Sequence, residues 1–246
     1  MRITEHIYLV GSGRLGFALT DMLDCNVYLI DCGGEFALID AGAGRNVDAI
    51  LDVVRADGLD PQAIRHVLLT HAHGDHAGGC AALHERLGAK IWASDEAGRW
   101  VSSGDEAAIS LDIARTAGVY PPDYRFQACP VDGLVVDGAP LTIGCCEFLP
   151  IATPGHADGH IAYLLRQDGR TALFVGDLLV CGGQVLLQYT YDCSPLRLGD
   201  SLMRLAGLDV DALFPGHLHF CLREGQTHIA AAVEDLRRLK LPRSVS

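Results

Sequence analysis

The chain has 246 residues, 49% of them apolar, with 28 glycines and a formal net charge of −12. That length and apolar content exclude a disordered chain and supply ample material for a buried core. The negative charge argues against nucleic acid or an anionic membrane as a partner, because phosphate binding needs a basic surface.

The nine cysteines are odd in number and show no C-x-x-C spacing. They are expected to be reduced thiols of a cytoplasmic protein, most of them acting as small buried hydrophobes. Adjacent Cys145 and Cys146, read as part of a strand, are expected to point to opposite faces rather than to work as a redox pair. The segment Met1-Arg2-Ile3-Thr4-Glu5-His6 carries an acid and leads into only four apolar residues, which is not the pattern of a secretory signal. No run approaches the roughly 20 apolar residues of a membrane span.

Short apolar runs at Ile7–Val10, Asn26–Ile30 and Phe36–Ile39, bounded by Gly or Asp, predict buried strands. Residues 46–57 place Val47, Ile50, Leu51 and Val54 at helical spacing, with Gly58 as the stop. Val67–Thr70 predicts another strand and 77–87 a helix ending at Gly88. Residues 95–118 read as one or two helices with charged faces. Residues 119–130 follow as a loop with Pro121, Pro122, Pro130, Tyr120, Tyr124 and Phe126. The segment 95–130 is expected to be an insertion in a single domain spanning 1–246, of a kind that often contacts substrate. Strands are predicted near 134–136, 141–143, 146–151, 161–166, 171–175 and 211–214, and helices near 196–207 and 226–240. Two sheets packed face to face with helices outside follow from that order.

His71-Ala72-His73-Gly74-Asp75-His76 packs three imidazoles and a carboxylate into six residues directly after an apolar run. Neutral imidazoles and carboxylates are good ligands for zinc and similar divalent ions. His156, Asp177 and His217 each follow an apolar run and a glycine, where a short loop can aim a side chain into a shared cleft. The set is then five His and two Asp. A single tetrahedral ion takes four protein groups at most, so seven argue for two ions with a carboxylate between them.

Thr70-His71-Ala72-His73-Gly74-Asp75-His76-Ala77-Gly78-Gly79 resembles the signature of the metallo-β-lactamase superfamily. Leu38-Ile39-Asp40-Ala41-Gly42, Thr153-Pro154-Gly155-His156, Gly176-Asp177 and Pro215-Gly216-His217 resemble its other motifs, in the right order. The resemblance implies an α/β architecture, the αβ/βα sandwich, with the site at one edge of two mixed sheets. It implies that His71, His73 and His156 hold one ion, that Asp75, His76 and His217 hold the other, and that Asp177 bridges. Zinc is the metal expected, with iron or manganese as alternatives. Asp40 is implied to lie behind a ligand histidine and fix its tautomer. His160 and His219 are expected to be structural rather than ligating. His6, His66, His84 and His228 are read as surface or core residues.

The activity implied is hydrolysis of an ester-like bond (thioester, lactone or carboxylic ester) in a small-molecule acyl substrate by a metal-bridging hydroxide, with Asp75 handling a proton. Zinc β-lactamases usually lack the bridging Asp, so Asp177 argues against antibiotic hydrolysis as the main activity. The hydroxyacylglutathione hydrolases (glyoxalase II) keep it but add a basic C-terminal region. Here 29 residues follow His217, including Arg223, Arg237, Arg238, Lys240 and Arg243, and glutathione specificity is not expected from them. The acyl-homoserine lactonases use a Tyr beside the site, for which Tyr189 and Tyr191 are candidates, although packing is the favoured role for both. The alternatives are a mononuclear iron sulfur dioxygenase and a non-catalytic metal-binding protein.

Overall fold

A computed structural model describes residues 1–245. The first half contains β1 (Ile7–Gly11), β2 (Val27–Asp31), β3 (Phe36–Ile39), α1 (Val47–Ala56), β4 (Ile64–Leu68), α2 (Gly74–Ala77), α3 (Cys80–Leu87), β5 (Lys90–Ala93), α4 (Asp95–Ser103) and α5 (Leu111–Thr116). The second contains β6 (Gly133–Leu134), β7 (Leu141–Ile143), β8 (Cys146–Ala152), β9 (Ile161–Gln167), β10 (Arg170–Gly176), α6 (Pro195–Leu205), β11 (Ala212–Pro215) and α7 (Gly225–Arg237). Strands β1 to β6 form one mixed sheet in chain order, and the other runs β11-β10-β9-β8-β7. No helix among the described residues is long and apolar enough to cross a membrane.

Period-2 alternation builds the layers. In β2, Tyr28 and Ile30 enter the core between the sheets with Leu9, Ile39, Phe148, Tyr163, Phe174 and Phe214. Val27 and Leu29 point the other way, into the layer with Val47, Ile50, Leu51 and Val54 of α1. Leu198, Leu202 and Leu205 of α6 and Ile229 and Val233 of α7 cover the outer face of the second sheet. Both faces of the central strands are therefore buried, which is why they read as continuous apolar runs rather than alternating ones. Helix α1 starts where the Asn46 side chain accepts from Ala49 N, and its four apolar residues form the buried stripe.

Several sequence expectations shift. The helix expected over 77–87 begins only at Cys80, as α3, and Gly78-Gly79 separate it from the short α2, which ends at Ala77. There the chain leans on the turn after β3: Gly79 N donates to Gly42 O at 3.0 Å and Ala41 N to His76 O at 2.7 Å. A side chain at Gly79 would sit 2.1 Å from Ala41 O, so only glycine permits that approach. The strand expected at Val67–Thr70 ends at Leu68, because Thr70 N turns to Asp40 Oδ1 at 2.8 Å instead of a neighbouring strand. Strand β5 is unannounced in the sequence, being four residues long with an exposed Lys at its start. Cys145 lies in the turn between β7 and β8 and is exposed, whereas Cys146 is buried in β8.

The site lies where β3, β4, β8, β10 and β11 end. Strands β3 and β4 are parallel, as are β10 and β11. Two antiparallel steps through β9 make β8 parallel to β10. All five carboxyl ends thus open on one edge. Bonds between the sheets hold that edge together: Asn26 N to Gly216 O at 2.7 Å, Ile161 N to Thr70 O at 2.7 Å and Tyr28 Oη to Pro215 O at 2.7 Å.

Candidate metal centre

The loop after β4 delivers His71 and His73, and α2 carries Asp75 and His76. The loops after β8, β10 and β11 deliver His156, Asp177 and His217. All seven side chains meet at the edge of the sheets. His71, His73 and His156 form one group of mutually close donor atoms, Asp75, His76 and His217 another, and Asp177 lies against His71 and His76.

Partner chemistry fixes the tautomers in the first group. His156 Nδ1 donates to Leu186 O at 2.8 Å, since a carbonyl can only accept. His73 Nε2 donates to Asp192 Oδ2 at 2.9 Å. Thr70 Oγ1 gives its one hydrogen to Asp40, 2.8 Å away, and so accepts from His71 Nδ1 at 3.0 Å. The three remaining nitrogens face one another: His73 Nδ1 lies 3.1 Å from His71 Nε2 and 3.2 Å from His156 Nε2. Burial holds His71 well below the ordinary imidazole range and takes His156 down to about 4, so both are in the neutral, ligating form. Tetrahedral ligands with bonds of about 2.0–2.1 Å sit roughly 3.3 Å apart, close to the spacing found.

In the second group His76 Nδ1 donates to Asp40 Oδ2 at 2.8 Å. Burial opposes charge on this ring, but Cys25, Asp177, Asp40 and Asp75 outweigh it and raise its pKa well above the ordinary imidazole range, so a proton stands on Nε2 where a metal cation would sit. His76 Nε2 and Asp177 Oδ1, 3.4 Å apart, are buried and have no hydrogen-bond partner. Orphaned polar atoms at that depth are costly unless a cation takes them. His217 Nε2 lies 3.1 Å from Asp75 Oδ2 and 3.2 Å from Asp177 Oδ2. Burial opposes charge on His217, but Asp177 and Asp75 outweigh it and raise its pKa to about 9. A proton on His217 thus occupies the place a metal cation would fill. The backbone is brought up close here: a Cβ on Gly216 would lie 2.3 Å from Asp177 Oδ1 and 2.6 Å from His76 Cε1.

Asp40 sits at φ 63°, an uncommon conformation that Asp tolerates better than most residues. It turns the carboxylate onto Thr70 N, Thr70 Oγ1 and His76 Nδ1. His160 turns away from the donor cluster: its Nδ1 faces Thr153 Oγ1 at 2.9 Å and its Nε2 accepts from Asp177 N at 3.2 Å. His219 is exposed.

Two functional neighbours escape a reading of the sequence. Asp192 orients His73 and is itself held by Ser110 Oγ at 2.8 Å. No motif surrounds it, and it lies in an irregular stretch. Tyr120 Oη donates to Asp75 Oδ1 at 2.6 Å and accepts from Asp75 N at 3.0 Å. Burial and the Asp75 charge keep its pKa well above 10, so it stays a donor. The signal available for Tyr120 was its place in the aromatic, proline-rich stretch at 119–130. Tyr189 and Tyr191 are 97% and 70% exposed, so the packing role expected for them does not hold, and neither makes a hydrogen bond to a residue of the donor cluster. Access to Asp75 and His217 is through a narrow cleft lined by Arg14, Leu15, Met22, Val119 and Tyr120.

Residues 20–217 match the sequence model of the metallo-beta-lactamase superfamily. A probable metallo-hydrolase of Bacillus subtilis (strain 168), YflN, is 28% identical over 216 residues, covering 78% of this chain and 80% of the relative. A hydroxyacylglutathione hydrolase of Rhodospirillum rubrum is 31% identical over 197 residues, covering 79% of this chain. The matched part spans 62% of that enzyme, less than two thirds of its length. Among solved structures, the native FEZ-1 metallo-beta-lactamase from Legionella gormanii superposes with a TM-score of 0.73 at 22% identity, covering 97% of this chain and 94% of that one. That likeness shows the αβ/βα sandwich.

Proposed function

Because the chain belongs to the metallo-β-lactamase superfamily, we propose that it is a metal-dependent hydrolase of ester-type bonds. A thioester is the first candidate, ahead of a lactone or carboxylic ester, because a hydroxyacylglutathione is a thioester and an enzyme named for it is among the relatives. In this reading His71, His73 and His156 hold one divalent ion, Asp75, His76 and His217 hold a second, and Asp177 reaches both. Zinc is the first expectation, with iron or manganese as alternatives. The same reading treats 1–246 as one domain in which 95–130 walls the approach to Asp75.

The observation that carries the reading is the convergence of donor atoms: three imidazole nitrogens on one point, and beside it His76 Nε2 and Asp177 Oδ1, buried with no hydrogen-bond partner. Charge supports the count of two. With neutral imidazoles, Asp40, Asp75, Asp177 and Asp192 bring four negative charges into a largely buried site, and two divalent ions bring four positive ones. When bound, such a pair supplies a nucleophilic water at neutral pH and polarises the carbonyl under attack.

The protein's own groups do the positioning. Tyr120 clamps Asp75 by one carboxylate oxygen and leaves Oδ2 turned toward His217. Asp75 is the one carboxylate of the ligand set with appreciable side-chain exposure, 19% against 2% for Asp177, so it faces the cleft. From there it can orient the attacking water and pass a proton to the leaving thiol or alcohol. Asp192, Leu186 O and Asp40 fix the rings of His73, His156 and His76, so no reorientation is needed on binding.

Elemental analysis joined to a hydrolysis panel tests this: glutathione thioesters, homoserine lactones, aryl esters, a β-lactam and a phosphodiester. The expected result is two ions per chain and the highest kcat/KM on a thioester. One ion or fewer per metal-replete chain sinks the two-metal form. A single iron with thiol-dependent oxygen uptake and no hydrolysis replaces it with the sulfur dioxygenase reading. Asp75→Ala is expected to lower kcat by about 10²-fold or more, and undiminished hydrolysis in that variant removes Asp75 from the chemistry.

A further inference from the structure

A second cluster of reactive side chains lies along the loops that leave the metal centre. The Sγ atoms of Cys181 and Cys221 and a ring nitrogen of His228 all lie within 4.8 Å of one another. Cys181 comes four residues after Asp177, and Cys221 four after His217. The backbone at Cys221 is fixed against β11 by Leu213 N to Cys221 O at 2.9 Å and Cys221 N to Leu213 O at 3.0 Å. Cys181 Sγ donates to His219 O at 3.3 Å. His228, near the start of α7, accepts from Gly182 N on Nδ1 at 2.9 Å.

These contacts argue against a metal. The Gly182 amide takes the lone pair on His228 Nδ1, and the other ring nitrogen of the neutral imidazole then carries a proton. Neither nitrogen is free to ligate, and two sulfurs alone fall short of the four ligands of a structural zinc site. What remains is a buried thiol and a half-buried thiol side by side, with an imidazole within hydrogen-bonding reach of the more accessible one.

We propose that Cys221 is a peroxide-reactive thiol resolved by Cys181, so that the pair is a reversible disulfide site joining the Asp177 and His217 loops. The Cys221 sulfur attacks one oxygen of a peroxide. An S–O bond forms, the O–O bond breaks, and the departing oxygen takes up the thiol proton as water. Cys181 then attacks the sulfenic sulfur. An S–S bond forms, the S–O bond breaks, and a second water leaves with the Cys181 proton. Two thiols are oxidised and one hydrogen peroxide is reduced to two waters; a dithiol reductant reverses the change. Contact with the adjacent Cys181 sulfur, working against burial and helped by Leu213 N and His228, brings the Cys221 thiol down to about 6. That lowering favours loss of the thiol proton and the thiolate, the form that reacts. Exposed Cys145 serves as an internal comparison: partial desolvation and adjacent Cys146 raise its thiol.

The test is peptide mapping after hydrogen peroxide treatment of the full chain, and it reads no hydrolytic activity. The expected product is a cross-link between Cys181 and Cys221, two hydrogens lighter than the free peptides and reversed by dithiothreitol. Fragmentation must place it, because Cys193 shares the tryptic peptide of Cys181. In Cys181→Ser, Cys221 should accumulate as a sulfenic acid trapped by dimedone. In His228→Gln, oxidation of Cys221 should slow several-fold. The proposal is overturned if Cys221 stays a free thiol while Cys145 is oxidised, or if the partner of Cys221 is any cysteine other than Cys181. The wild-type map decides the matter even where a variant fails to fold.

Discussion

Replacing Tyr120 with Phe removes one oxygen and leaves the ring, which stacks on Tyr124 with centroids 4.8 Å apart. That oxygen holds Asp75 twice, at 2.6 Å through Oδ1 and at 3.0 Å through the backbone amide. A hydrogen bond to an ionised group is worth about 1.5–3 kcal/mol, or roughly 10- to 150-fold in an equilibrium constant. The Asp75 side chain is 19% exposed, so water can recover part of the loss. The expected effect sits at the lower end, with about tenfold weaker binding of the ion at Asp75, His76 and His217. Turnover should fall by a similar factor. Binding at His71, His73 and His156 should be unchanged. Asp192→Ala gives the opposite pattern: its carboxylate is 4% exposed, water has little access, and the loss of about 10- to 100-fold falls on the first ion. Stepwise competition with a chromogenic chelator measures both constants. Equal losses at both sites in both variants, or no change in the second constant for Tyr120→Phe, would refute the assignment of Tyr120 to Asp75.

Three further outcomes follow from the same geometry. Chelation should lower Tm markedly: each ion at 100 times its Kd adds about 2.7 kcal/mol, and two such ions correspond to roughly 10–20 °C for a chain of this size. A calorimetric Tm unmoved by chelator contradicts structural linkage between metal and fold. With the His217 pKa at about 9 in the metal-free protein, the second ion must displace a proton at neutral pH, so its affinity should fall as pH is lowered below about 9. The metal-free protein should show the reverse sign. A raised histidine pKa stabilises below the unfolded value of about 6.5, and that contribution is lost as pH rises through about 9; denaturant titrations across that window with no such decline would contradict the His217 pairing. Gly216→Ala places a methyl 2.3 Å from Asp177 Oδ1, so it should reduce bound metal per chain by elemental analysis, and full loading would show that the loop can yield.

Much of the centre was legible in the chain because its residues lie in short runs tied to strand ends. His71 to His76 occupy six consecutive positions, and His156, Asp177 and His217 each follow an apolar strand and a glycine. Local pattern also gave the layers, since strands buried on both faces read as unbroken apolar runs and α1 carries its stripe at helical spacing. Strand β5 was not legible: a four-residue strand beginning with Lys carries too little pattern.

Tertiary structure alone decided how the site is held. Asp192 and Tyr120 are 119 and 45 residues from the histidine and aspartate they orient, and nothing local to either announces the contact. Tyr189 and Tyr191 have the residue type and nearness in sequence to Asp177, yet the chain carries them to the surface. The pairing of Cys181 with Cys221 likewise exists only because β10 and β11 lie side by side. Residue type and local spacing determined which groups could bind a metal, because ligand chemistry and strand-end geometry are local. Which groups orient them, and which thiols meet, was settled by the packing of two sheets, a sum of long-range contacts with no signature in any one segment.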